Sequence, residues 1–310
     1  MTRLVLCALM LVLISCASAY YFTARADDVL PKNDPAAAKL YADANKLRPL
    51  HTPLGKPQPG EWLAEHFEEG QSFPQYLKCK PVLPRGKRNI LYIQPLGDFT
   101  EKQRKIIDLT ADFLGRYFQI QTRIADDLPL AIIPRDAQRV HPSWGDKQIL
   151  SHHVLDQVLR PRLPKDAAAY IAFTSSDLWP GENWNFVFGQ ASLIHRVGVW
   201  SIYRNGDPEK DEAGFKLCLL RTLKTASHET GHMFSIKHCT HYACNMNGSN
   251  SRDESDRQPL EVCPECVSKI LWAAQADPLK RLQALASFCK ENGLADEHSK
   301  YEAQIKALSE

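Results

Sequence analysis

Apolar positions along the chain fall into two kinds of pattern. Ile90, Leu91, Tyr92 and Ile93 form an unbroken run, and residues 167–174 form a second, alanine-rich one. Runs of this length without polar interruption predict strands buried on both faces. Between them, Ile106, Ile107, Phe113, Leu114 and Tyr117 recur at helical spacing behind Thr100 and Gln103, a capping box that predicts the helix start. Residues 118–124 alternate as a strand does. Leu150, Val154, Leu155, Val158 and Leu159 predict a helix over about 146–160, stopped by Pro161. Two further strands are expected at 184–192 and 196–203. Asp207-Pro208 then reads as a helix start, and the stripe Phe215, Leu219, Leu220, Leu223 and Ala226 runs straight into His228. Helices are predicted again at 259–274, at 278–292 with Asp277 as cap and Gly293 as terminator, and at 296–308. The alternation of strands and helices predicts an α/β (α+β) chain.

The N-terminal part has another texture. Pro31, Pro35, Pro49, Pro53, Pro57, Pro59 and Pro74 interrupt residues 20–88, which read as a proline-rich extended arm lying on the domain. Before it, Leu4 to Ile14 is an eleven-residue apolar run behind Arg3, shorter than the roughly 20 residues a spanning helix needs. With the small residues that follow, it predicts an export signal over residues 1–19. Two cleavages fit it. Ala17-Ser18-Ala19 suits cutting before Tyr20, whereas Leu13-Ile14-Ser15-Cys16 resembles a lipobox that would anchor the chain to a membrane through an acylated Cys16. The protein is expected to be exported: periplasmic, secreted or lipid-anchored. The division that follows is signal 1–19, arm 20–88, main domain 89–275 and helical extension 276–310. Of 310 residues, 44% are hydrophobic and 24% charged, a globular composition, and 38 basic against 36 acidic residues leave a net charge of +2. That balance excludes a protein that coats phosphate backbones, so no nucleic-acid partner is expected.

His228-Glu229-Thr230-Gly231-His232 is an HExxH arrangement on the helix that leads into it. Residues four apart on a helix face the same way, so both imidazoles can reach one metal with Glu229 beside its water. A catalytic zinc needs a third protein ligand. His238 is the first candidate, which requires the helix to end and the chain to turn near Ser235; Glu254 or Glu261 are the rivals. Nine cysteines are present. Four cluster as Cys239-x4-Cys244 and Cys263-x2-Cys266, spacing that suits a structural zinc, with a pair of disulfides as the alternative in an exported protein. Among lesser candidates, His241 reads as a loop histidine and His195 as a residue at a strand junction. His152 and His153 read as the wet flank of their helix, and one face of the alternating Trp184, Phe186 and Phe188 as core, with substrate contact the alternative.

The run from His228 to Cys239, then Cys244-Asn245-Met246, then Cys263-Pro264-Glu265-Cys266, resembles the archaemetzincins, zinc metallopeptidases of the metzincin clan. Pro59-Gly60-Glu61-Trp62, Asp177-Leu178-Trp179-Pro180 and the segment Trp184 to Ser192 resemble that family too. The resemblance implies a metzincin-like mixed twisted sheet with an antiparallel edge strand, an active-site helix, a four-cysteine zinc loop and C-terminal helices. It implies two Zn2+ ions: a catalytic one on His228, His232 and His238, with Glu229 as general base, and a structural one on Cys239, Cys244, Cys263 and Cys266. Met246 would lie in a turn beneath the metal. Asn185, Phe186, Val187, Phe188 and Gly189 would belong to the edge strand to which a peptide or protein substrate adds. One residue departs from the family pattern: Ser235 stands where it has glycine. A left-handed serine costs on the order of 1 kcal/mol. A zinc-stabilised, non-catalytic binding lipoprotein on the same scaffold is the alternative reading.

Overall fold

Strands β1 (Ile90–Leu96) and β5 (Ala167–Thr174) pair in parallel at the centre of a five-stranded sheet, and every residue of both is buried. The computed structural model describes residues 29–31 and 34–310; the apolar leader run and Cys16 lie outside the described residues. The sheet order is β2-β1-β5-β8-β7, with β2 (Gln121–Ile124) and β8 (Val197–Ser201) parallel to the centre and β7 (Gly189–Ala191) antiparallel at the edge. Side chains alternate between two cores, as the period of two demands. Leu91, Ile93, Ile171, Phe173 and Trp200 enter the larger core, while Ile90, Tyr92, Tyr170, Ala172, Val197 and Val199 enter the smaller one. This two-sided burial is why the runs are almost wholly apolar, with Gln94 and Thr174 the buried polar exceptions.

Ten α-helices lie among the described residues. The N-terminal ones are α1 (Pro35–Asn45), α2 (Trp62–Glu65) and α3 (Phe73–Lys78), and α4 (Glu101–Phe118) and α5 (Ser151–His153) follow. The remainder are α6 (Glu212–Met233), α7 (Arg252–Arg257), α8 (Pro264–Ala274), α9 (Pro278–Glu291) and α10 (Ala295–Ser309). The Thr100–Gln103 capping box and the Asp277 cap form as expected. Among the described residues, no helix is long and apolar enough to cross a membrane.

Five expectations about elements need correction. Lys147–Leu150 is a strand, β4, because β3 (Gln138–Val140) and β6 (Asp177–Trp179) pair with it on both sides; only after it does the chain become helical, through α5 into a π-helical turn at Val154–Leu159. The strand expected from residue 118 starts at Gln121, since Phe118 is the last residue of α4 and Gln119 takes a left-handed turn, φ 51°. The helix expected from Asp207 begins at Glu212, capped by Asp211, whose carboxylate accepts from Gly214 N at 2.7 Å. The helix expected over 259–274 starts at Pro264, and α7 precedes it. The arm is not simply extended: Pro35 and Pro74 sit in the first turns of α1 and α3, where the missing N–H has no helical partner to lose. The C-terminal pair packs on the domain: Leu282, Leu285, Phe288 and Tyr301 lie in the larger core and Phe288 packs 5.2 Å from Phe113.

Candidate metal centre

The last three turns of α6 present Lys224, Thr225, His228, Glu229 and His232 to a cleft of about 610 Å³. This is the i, i+4 stripe of a helix. The Nδ1 atom of His228 lies 2.7 Å from Asn245 O, and that of His232 lies 2.6 Å from Ile236 O. A carbonyl only accepts, so both Nδ1 atoms carry the hydrogen and both Nε2 atoms offer lone pairs to the cleft. Those two Nε2 atoms stand 2.9 Å apart. Burial, reinforced by the neighbouring His238, pushes His228 down to about 3, and His232 also lies well below the usual imidazole range. Two neutral lone pairs facing each other repel unless a cation lies between them.

Past Met233 the chain reverses. Ser235 takes φ 64°, its N–H donates to His232 O at 2.8 Å, and Ile236 N–H donates to Gly231 O at 3.1 Å, a left-handed helix stop. The serine hydroxyl offsets the strain of that backbone by donating to Leu193 O at 2.8 Å and accepting from Val82 N at 3.1 Å. The turn therefore forms without glycine and brings His238 back to the helix. Its ring lies 5.2 Å from that of His228 and 4.9 Å from that of His232, and one ligand nitrogen from each of the three lies within 4.8 Å of the others. Neither rival joins them. The Glu254 carboxylate accepts from Trp62 N and Asn250 N, and Glu261 accepts from Gln304.

Glu229 is buried, and burial lifts its carboxyl to about 8. It lies against Gly189 at the start of β7, where an added Cβ would stand 2.7 Å from both Cγ and Oε1 of Glu229. Met246 is fully buried beneath the helix, in the space left by Gly231, where an added Cβ would meet its sulfur at 2.8 Å. Asn245 braces the same helix, with its amide donating to Ser227 Oγ at 2.8 Å.

One residue past His238 the second cluster begins. The sulfurs of Cys239, Cys244, Cys263 and Cys266 all lie within 4.8 Å of one another, buried and not disulfide-bonded. Cys244 Sγ accepts from Cys263 N at 3.3 Å and from Met246 N at 3.5 Å. Hydrogen bonds from the other three sulfurs hold Cys239 well below the usual thiol range, while burial pushes Cys244 and Cys263 well above it. Four thiolates cannot share so small a buried volume without a cation, and soft sulfur donors in this number suit zinc. Cys79, Cys218 and Cys289 are free thiols.

Asn185, Phe186, Val187, Phe188 and Gly189 line the far wall of the cleft, but the regular strand covers only Gly189–Ala191. Val187 N and Ser201 N hold the preceding stretch by donating to Leu178 O and Phe188 O. The expectation that one face of Trp184, Phe186 and Phe188 fills the core is wrong. All three face the cleft, Trp184 at 40% exposure, and Arg204 and Arg252 cover Phe186 and Phe188 at 4.0 and 3.8 Å. His152 also lines the cleft and contacts Gln190 at 2.9 Å. His195 is outside that lining; its N–H donates to Ser192 Oγ. His153 is half-buried on α5, and His241 O accepts from Leu54 N. Two contributors from the N-terminal segment were not assigned to the site from sequence. Trp62 lines the cleft with its ring 5.2 Å from His238, and Glu68 bonds His238 Nδ1 through both oxygens at 2.9 Å. Trp62 had its signal in Pro59-Gly60-Glu61-Trp62, whereas Glu68 sits in a charged stretch that reads as solvated.

The model of peptidase family M54 matches residues 143–271. Archaemetzincin-2 of Rattus norvegicus is 31% identical over 287 residues, covering 81% of this chain and 79% of its own. Archaemetzincin of Thermococcus kodakarensis is 31% identical over 190 residues, covering 59% of this chain and 95% of its own. Among solved structures, archaemetzincin from Methanopyrus kandleri is 26% identical with a TM-score of 0.49, covering 62% of this chain and 99% of that one.

Proposed function

The chain belongs to the archaemetzincin family of zinc metallopeptidases, peptidase family M54, and on that premise we propose that His228, His232 and His238 hold its catalytic zinc and Glu229 acts as general base. A second, structural zinc on Cys239, Cys244, Cys263 and Cys266 completes two ions per chain. The observation that carries the reading is the convergence of three imidazole nitrogens within 4.8 Å, the other nitrogen of each ring already committed to Asn245 O, Ile236 O or Glu68. When bound, the zinc supplies a Lewis acid that polarises the scissile carbonyl and lowers the pKa of water toward about 7. Glu229, held at one position by Gly189, takes the proton of the attacking water and returns it to the leaving amine. Met246, packed under Gly231, keeps the ligand-bearing turn of α6 level.

A peptide or protein substrate adds to the free edge of β7, which among the described residues pairs on one side only, with β8. Its side chains then lie among Trp62, Trp184, Phe186 and Phe188. We further propose that the protein is exported, by signal cleavage before Tyr20 or as a lipoprotein anchored through Cys16. The support is the charged, apolar and small-residue order of residues 1–19. Residues 89–275 form the catalytic unit in this reading, with residues 20–88 and 276–310 packed on it. The binding-protein alternative leaned on Ser235, and the left-handed turn there, with its two hydroxyl bonds, removes that support.

A peptide library incubated with the zinc-loaded protein tests the proposal. Cleavage is expected, is lost with a zinc chelator and returns with added zinc. Cleavage that survives the chelator, or none by the zinc-loaded protein, contradicts it.

A further inference from the structure

We propose that Glu68 is a positioning residue for the catalytic zinc, and that residues 52–82 are in consequence a working part of the metal centre. The inference rests on the reading of His238 as the third ligand. His228 and His232 are fixed by the helix they stand on, but His238 follows it in an irregular loop, residues 234–243, with no ladder of its own. Its orientation must come from elsewhere.

The N-terminal segment supplies it. Tyr76 Oη donates to Phe234 O at 2.8 Å, and Gln71 both donates to Ser235 O at 3.3 Å and accepts from Lys237 N at 3.2 Å. On the other side of His238, Leu54 N donates to His241 O and Ala243 N donates to Thr52 O, each at 2.9 Å. The segment is thus fastened to the loop before and after the ligand, and Glu68 hangs between the two fastenings. Both its oxygens reach His238 Nδ1 at 2.9 Å, while the Trp62 ring meets the imidazole edge-on at 5.2 Å and 81°. Carboxylate and indole together fix the ring plane and leave Nε2 as its metal-facing atom. The partner is also chemically distinct. His228 and His232 donate to neutral carbonyls, whereas His238 has a carboxylate, which draws on the Nδ1 proton and makes Nε2 the more basic donor.

The test uses the full chain, with zinc affinity read by competition against a chelator and zinc per chain counted by metal analysis. Glu68→Ala is expected to weaken the histidine-bound zinc about 10- to 100-fold, with the cysteine-bound zinc retained and the melting temperature of the zinc-free protein unchanged. Glu68→Gln keeps an acceptor but loses the charge, so it should fall between Ala and wild type. Wild-type zinc affinity in both variants, when His238→Ala loses that zinc, overturns the proposal. Should His238→Ala itself leave affinity unchanged, the ligand assignment fails instead. Because Glu68→Gln is isosteric, it carries the test even where Glu68→Ala does not fold.

Discussion

Glu229→Gln is expected to keep two zinc ions per chain and to hydrolyse peptides about 10²- to 10⁴-fold more slowly, the range a positioned proton acceptor contributes. The amide has the shape of the carboxylate, so it fits the same buried place beside Gly189 and leaves the three imidazoles undisturbed. It cannot take a proton from water. Turnover should therefore fall with KM little changed, because the residue contributes to the transition state more than to binding. Zinc content and kcat measured on one preparation check this. A variant with both zinc ions and wild-type kcat would remove Glu229 from the mechanism.

Gly189→Ala should be nearly as damaging for a different reason. Its backbone is not left-handed, so alanine is conformationally allowed there, and the whole effect is steric. The new methyl would stand 2.7 Å from Glu229 Cγ and Oε1 and 2.9 Å from Cδ, closer than real side chains approach. Either the carboxylate moves or β7 does. A displacement of about 1 Å in a catalytic group can cost around 10²-fold in rate, so kcat/KM is expected to drop by about that factor with zinc retained. Overpacking adds a stability loss of about 1–3 kcal/mol. Gly115→Ala on α4, outside the cleft lining, where an added Cβ meets nothing closer than 3.5 Å, is the matched control and should be silent. Full activity in Gly189→Ala would mean that the position of Glu229 does not matter.

What the sequence made legible follows the physics of each element. The central strands could be read because both faces are buried, which leaves only Gln94 and Thr174 as polar breaks in the pattern. The helix at Glu101–Phe118 announced itself through a capping box, and the metal-binding helix through a stripe that ends in two histidines four apart. Lys147–Leu150 reads as part of a helix because its strand character comes from neighbours on both sides rather than from its own four residues. Pro35 and Pro74 read as breaks, yet they sit in the first turns of α1 and α3. Phe186 and Phe188 alternate like core residues, yet they wall a cleft under two arginines. Glu68 was invisible for a plainer reason: it lies 170 residues from the histidine it holds, and only the fold brings them together.

Whether three imidazoles and four thiolates each hold a zinc ion is decided by an anomalous diffraction map collected at the zinc edge from crystals of the zinc-loaded protein. Two peaks per chain are expected. One lies about 2.0–2.1 Å from a nitrogen of each of His228, His232 and His238, and the other about 2.3 Å from the sulfurs of Cys239, Cys244, Cys263 and Cys266. A map with no peak among the three imidazoles, or with His238 turned out of coordinating distance, would contradict it.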